Sequence, residues 1–143
     1  DVIRSLDEVI CAIREEGALS GVHCCGNTDW PLLLKRGVDI LNFDSYNFMK
    51  EFFLYHQDIK DFIERGSAIA WGIVPSSFAV DSTDPESIAR RLKAALKALE
   101  DKGIDGSSVS SLVTSSCGLG TLDEKVAKRI AEMVSRVSDI LKS

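Results

Sequence analysis

Proline is scarce in this chain, three residues in 143, and cysteine stops at four. Histidine occurs twice and aromatic residues make up 7%. There is no excess of positive charge: 17 Lys and Arg stand against 22 Asp and Glu, a formal net charge of −5. Each shortage excludes something. Without a basic cluster to track a phosphate backbone, no nucleic-acid partner is expected. No apolar run approaches the roughly 18–20 residues of a membrane helix, so no membrane partner is expected either. Of the four cysteines, Cys24 and Cys25 are adjacent, which makes a poor disulfide framework, and no signal-peptide pattern is present. A reducing, cytoplasmic setting is therefore expected, where Cys and His group for metal binding or catalysis rather than for cross-links.

Hydrophobic residues at 45% and charged residues at 27% describe a globular chain, and the length fits a single domain over residues 1–143. Asp1 to Glu16 carries Ile3, Leu6, Val9, Ile10 and Ile13 at helical spacing and stops at Gly17. A short strand from Ala18 to Gly26 follows, then a short helix around Trp30–Leu34 closing at Gly37. Val38 to Asp44 is a second strand, Asn47 to Arg65 a helix stopped by Gly66, and Ser67 to Val74 a third strand broken by Pro75. Asp84 or Thr83 caps a helix with Pro85 in its first turn, which Gly103 ends. Val109 to Ser115 is a fourth strand. Thr121 and Glu124 have the capping-box spacing at the head of the last helix. This alternation predicts an α/β fold with a parallel sheet. Four strand–helix units suit either a small doubly wound sheet or half of a (β/α)8 barrel, which takes about 250 residues. A start at Asp1, inside a helical pattern, adds to the second expectation.

In parallel α/β folds the site lies at the carboxyl ends of the strands. Here those ends read His23–Cys24–Cys25–Gly26–Asn27, Asn42–Phe43–Asp44–Ser45, Pro75–Ser76–Ser77 and Ser115–Ser116–Cys117–Gly118–Leu119–Gly120–Thr121. Strand alternation puts His23 and Cys25 on one side and Cys24 on the other, against helices. It groups Asn42 with Asp44, and Val113 and Ser115 with Cys117. One imidazole, two thiols and a carboxylate at one rim form a zinc-ligand inventory. Blander roles stand beside this one: a hydrogen-bonded core imidazole for His23, buried thiols for Cys25 and Cys117, and a helix cap for Asp44. Cys11 is expected to pack on the first helix and His56 to lie at the surface. Gly118 and Gly120 suit either an anion cradle or a tight turn that lets Cys117 approach.

The segments HCCGNTDWPLLLKRGVDILNFD and SSCGLGT resemble the C-terminal part of cobalamin-independent methionine synthases, within the superfamily that also holds uroporphyrinogen decarboxylase and corrinoid-linked zinc methyltransferases. The resemblance runs from about Ser20 to Leu141. It implies a (β/α)8 TIM barrel of which this chain is the C-terminal half, and a catalytic zinc on His23, Cys25, Asp44 and Cys117. It further implies methyl transfer to a small thiol, homocysteine giving methionine, from methyltetrahydrofolate or a methyl-corrinoid. The half barrel is expected to pair with a missing half or to homo-oligomerise. Two departures stand out. Asp44 occupies a position where the family usually has Glu. The third strand end, Gly72 to Ser77, lacks the family's Asp and its His, implicated in protonating the folate leaving group; a corrinoid-borne methyl needs no such acid. The alternatives are another acceptor such as coenzyme M, a uroporphyrinogen decarboxylase-like protein, or a non-catalytic assembly domain.

Overall fold

Four short strands pair in chain order. Strands β1 (Gly21–Cys24), β2 (Ile40–Phe43), β3 (Ala68–Val74) and β4 (Ser111–Ser115) form one sheet of order β1-β2-β3-β4, every pair parallel. The computed structural model describes residues 2–143; Asp1, where the expected first helix begins, lies outside them. Helices α1 (Val2–Glu15), α2 (Pro31–Leu34), α3 (Ser45–Phe52), α4 (His56–Glu64), α5 (Pro85–Glu100) and α6 (Glu124–Lys142) connect or flank the strands. The α/β class and its parallel sheet are as the alternation implies. None of these helices is long and apolar enough to cross a membrane.

Strand order decides how the sheet is covered. Parallel neighbours joined by a crossover take a right-handed path, so strands added one after another in the same direction keep their helices on one face. Burial follows that rule. Register aligns Val22, Leu41 and Ile69 on one face and His23, Asn42, Ala70 and Leu112 on the other. On the first face Leu41, Phe43, Ile69 and Trp71 are all fully buried. They meet Trp30 and Phe52 in an aromatic cluster with ring centroids 4.2–6.4 Å apart. The second face is the more open one: Gly21, His23 and Leu112 are exposed and Ile40, Asn42, Ala68 and Thr114 half-buried, while Ala70 and Gly72 on it are buried. A doubly wound sheet would carry helices on both faces; this sheet is wound on one.

Local chemistry sets the helix ends. Gly17 and Gly103 take φ of +72° and +77°, the left-handed conformation that closes a helix and that a Cβ would strain. Asp84 caps α5, accepting from the Ser87 N–H at 2.7 Å, and this bond holds its carboxyl below the usual range. Two expectations change. The single helix over 47–65 is two, because Phe48 (φ −116°, ψ 20°) and Tyr55 (φ −99°, ψ 36°) leave helical geometry and a 3-10 turn at Phe53–Tyr55 separates α3 from α4. The break lets Phe52 pack against Phe43 while Ile59, Phe62 and Ile63 bury a differently directed stripe. The last helix opens on Asp123 rather than Thr121. The Asp123 carboxylate, next to Glu124, accepts from the Lys125 N–H at 2.8 Å.

Candidate metal centre

β1 ends where the polar run begins. His23 stands on the open face and Cys25 lies just past the strand end. Cys24 points the other way, as alternation requires: it packs against the core, and its thiol donates to the Gly26 carbonyl at 3.3 Å. Beyond β4, Cys117 completes a group. One imidazole nitrogen of His23, Sγ of Cys25 and Sγ of Cys117 all lie within 4.8 Å of one another. Among the described residues this is the group of three or more His, Cys, Asp or Glu side chains that could hold a metal ion. His23 and Cys25 are exposed and Cys117 is half-buried, so the group opens to solvent.

Cys117 arrives by a route that strict alternation misses. Thr114 lies on the His23 face, since the Asn42 side chain reaches its hydroxyl at 2.8 Å, whereas Val113 packs into the core. Continuing that alternation would send Cys117 toward the helices. The strand stops at Ser115, however, and the chain bends through Ser116 and Cys117. Two bonds hold the bend: Ser115 Oγ donates to the Cys117 carbonyl at 2.8 Å, and the Ser76 N–H donates to Ser116 Oγ at 3.0 Å. A register shift between Gly72 and Val74 precedes it.

The carboxylate does not join. Asp44 is 5% exposed and caps α3: Oδ1 accepts from the Asn47 N–H at 2.9 Å, and Oδ2 from the Asn47 side-chain amide at 2.7 Å. The structure gathers His23, Cys25 and Cys117, and Asp44 is outside their group. Both its oxygens are engaged by the helix that begins beside it. The remaining assignments divide. His56 is exposed, as expected, whereas Cys11 is exposed rather than packed. A Cβ at Gly118 or Gly120 would meet nothing within 4 Å, so no close approach of other chain atoms requires either glycine.

The electrostatics of the group concern its two sulfurs. The hydrogen bond with Cys117, and then its charge, push the Cys25 thiol above its ordinary value. Two like groups this close resist ionising together unless a cation sits between them. Sequence reasoning left one functional layer unread. Asn42, the register partner of His23, bonds His23 Nδ1 through Oδ1, and its amide nitrogen contacts both the Ala70 carbonyl and the Thr114 hydroxyl at 2.8 Å. Strands expected over 18–26 and 38–44 do not fix the register that makes this pair; in the structure His23 and Asn42 are each the third residue of a four-residue strand, GVHC and ILNF, and parallel pairing sets them side by side.

Comparison with protein-family models, with curated proteins and with solved structures finds no match to this chain.

Proposed function

We propose that this chain is the zinc-bearing half of a (β/α)8-type thiol methyltransferase. The observation that carries the reading is the convergence of the His23 imidazole and the Cys25 and Cys117 sulfurs within 4.8 Å at the carboxyl rim of a parallel sheet. One nitrogen and two sulfurs are a normal donor set for zinc, and three protein ligands leave a tetrahedral ion one open position, the mark of a catalytic site. His23, Cys25 and Cys117 would hold the ion, which would supply the Lewis acidity that keeps an acceptor thiol ionised near neutral pH. The two cysteine thiolates balance the charge of a divalent ion, and without Asp44 the site is neutral before substrate enters.

The rest of the chemistry falls to the chain and the substrates. The thiol proton leaves to solvent. The thiolate sulfur attacks the methyl carbon, an S–CH3 bond forms, and the donor departs with the electron pair of the bond that breaks. The third strand end, Pro75–Ser76–Ser77, offers hydroxyls but no acid for a leaving amine. That favours a methyl-corrinoid over methyltetrahydrofolate as donor. Homocysteine is the acceptor that the resemblance to methionine synthases supplies, with coenzyme M as the alternative thiol.

Barrel architecture is supported by winding on one face, by the uncovered opposite face, and by the unpaired edges of β1 and β4. A second four-strand unit, from a partner or a second copy, would close the barrel over the His23 face. The test is methyl transfer from methylcobalamin and from methyltetrahydrofolate to homocysteine and to coenzyme M, with the chain zinc-loaded and joined to whatever completes the barrel. Transfer that needs zinc and is lost in Cys117→Ser supports the reading. A chain that takes up no zinc when reduced overturns it.

A further inference from the structure

We infer that Asn42 is a positioning residue that fixes the tautomer of His23 and leaves Nε2 as its free ligand nitrogen. The inference rests on the metal reading above only for what the freed nitrogen is used for.

The bonds around Asn42 have a direction that can be read from one end to the other. The Ala70 carbonyl oxygen can only accept, so the Asn42 atom 2.8 Å from it is the amide nitrogen. The Thr114 hydroxyl points its proton at the Ser115 carbonyl, 3.1 Å away, which leaves its oxygen free to accept the second amide hydrogen at 2.8 Å. With both hydrogens spent, the Asn42 oxygen is turned toward His23, and an oxygen without a proton can only accept. Nδ1 of His23 must therefore carry the hydrogen. A neutral imidazole protonated at Nδ1 is bare at Nε2, so Nε2 is the nitrogen whose lone pair His23 could offer a metal ion. Flipping the amide would set two oxygens against each other at Ala70, so the orientation is determined rather than optional.

The arrangement suits a ligand on an exposed strand. His23 has no buried wall to hold its ring, and imidazole ligands usually have their second nitrogen fixed by an acceptor. Asn42 supplies that acceptor from the adjacent strand and is itself tied to β3 and β4. The same chain of bonds runs on to the second half of the site, because Ser115 Oγ holds the Cys117 carbonyl at 2.8 Å. The segments carrying His23 and Cys117 are thus joined across the sheet by side chains.

The test reads the tautomer and the metal separately. Long-range 15N spectra of the reduced, metal-free protein, with exposed His56 replaced by Gln to leave one imidazole, are expected to show His23 protonated at Nδ1. Asn42→Ala is expected to abolish that preference while keeping the wild-type circular dichroism spectrum. Asn42→Asp keeps an oxygen toward His23 but sets its other oxygen against the Ala70 carbonyl, so it is expected to restore the preference only in part. Zinc affinity, by competition with a chromophoric chelator, is expected to fall about 10–100-fold in Asn42→Ala, the range for lost outer partners of a ligand, and to recover in part in Asn42→Asp. Thr114→Val removes an anchor but not the acceptor and is expected to cost less than Asn42→Ala. A wild-type His23 protonated at Nε2 overturns the inference whatever the metal does, and so does unchanged zinc affinity in a folded Asn42→Ala protein. A tautomer that follows Asn42 in a chain binding no zinc upholds the positioning role and overturns the metal reading instead.

Discussion

Asp44 takes two hydrogen bonds from Asn47, one from its backbone N–H at 2.9 Å and one from its side-chain amide at 2.7 Å, and so closes the first turn of α3. This pairing separates two roles that the sequence leaves superposed on one carboxylate. An aspartate at the end of β2 is well placed to approach a metal on the rim, but it also immediately precedes a helix whose first N–H groups need an acceptor. The cap takes both oxygens.

Asp44→Asn keeps an acceptor for the Asn47 N–H and is expected to fold with a small loss of stability. Asp44→Ala is expected to lose about 1 kcal/mol, the usual cost of removing a cap. Zinc stoichiometry, measured by elemental analysis of the dialysed protein, is expected to match wild type in both. Loss of zinc from a folded Asp44→Asn protein would return the carboxylate to the metal.

Cys25 and Cys117 are expected to be interchangeable in consequence. Either one replaced by Ser should weaken zinc by more than the roughly 100-fold upper range for outer partners, because a first-contact donor is gone. Alkylation mapping checks this without activity. Zinc should shield Cys25 and Cys117, a chelator should expose them, and Cys11, exposed on α1, should react in both states. Equal labelling of Cys25 and Cys117 with and without zinc would count against the site.

Acid stability turns on Asp39. Hydrogen bonds from the Ser20 backbone and hydroxyl, at 2.8 and 2.7 Å, and from Arg14 at 3.1 Å lower its pKa to about 2. The unfolded value is about 3.9. A folded pKa below the unfolded one means that the fold favours the ionised form. The stabilisation is therefore complete above about pH 4 and disappears as pH falls toward 2. Asp39→Asn is expected to cost on the order of 1–2 kcal/mol at pH 7. Urea unfolding at pH 7 and near pH 2 should show the gap from wild type closing. A gap independent of pH would mean that Asp39 contributes through packing alone.

The legible part of this protein is the part ruled by period. Alternating apolar strands and 3.6-residue helical stripes gave the α/β order, and the glycines at 17, 66 and 103 marked helix ends. The site was half legible. His23 and Cys25 follow from alternation along one strand, and Cys24 turns inward as that rule demands. Cys117 lies in the group although alternation from Val113 points it elsewhere, because a bend after Ser115 and the shift at Gly72–Val74 reset the geometry. Period reasoning cannot see such a bend. Nor can it see Asn42 beside His23, which requires strand register, or choose between ligand and cap for Asp44, which requires knowing where α3 begins.

Gly72 tests the bend directly. A Cβ there would overlap the Phe43 carbonyl oxygen and stand 3.0 Å from the Ser115 oxygen and 3.1 Å from Ser116 Cα. All three are backbone atoms, one in β2 and two at the exit of β4, so none can swing aside as a side chain would. Gly72→Ala is expected to lose about 1–3 kcal/mol by overpacking. It should also weaken zinc by pushing the Cys117 segment from the His23 strand. Unchanged unfolding midpoint and zinc affinity would show that the bend does not depend on this close approach.

Leu112 distinguishes an enclosed face from one that is permanently wet. It is 48% exposed on the His23 face, beside half-buried Ile40 and Ala68 and buried Ala70. A lysine there meets solvent in the isolated chain, so Leu112→Lys is expected to unfold within about 0.5 kcal/mol of wild type. Closure of the barrel would bury the same charge without a partner, at a cost of several kcal/mol. Sedimentation velocity is therefore expected to show wild type associating beyond its 15.6 kDa monomer as concentration rises, and Leu112→Lys remaining monomeric. The two halves of the result carry different weight. A wild-type chain that stays monomeric, alone and with any candidate complement, removes the support for a closed barrel. Association that survives Leu112→Lys would place the contact on the helices and leave the His23 face open to solvent.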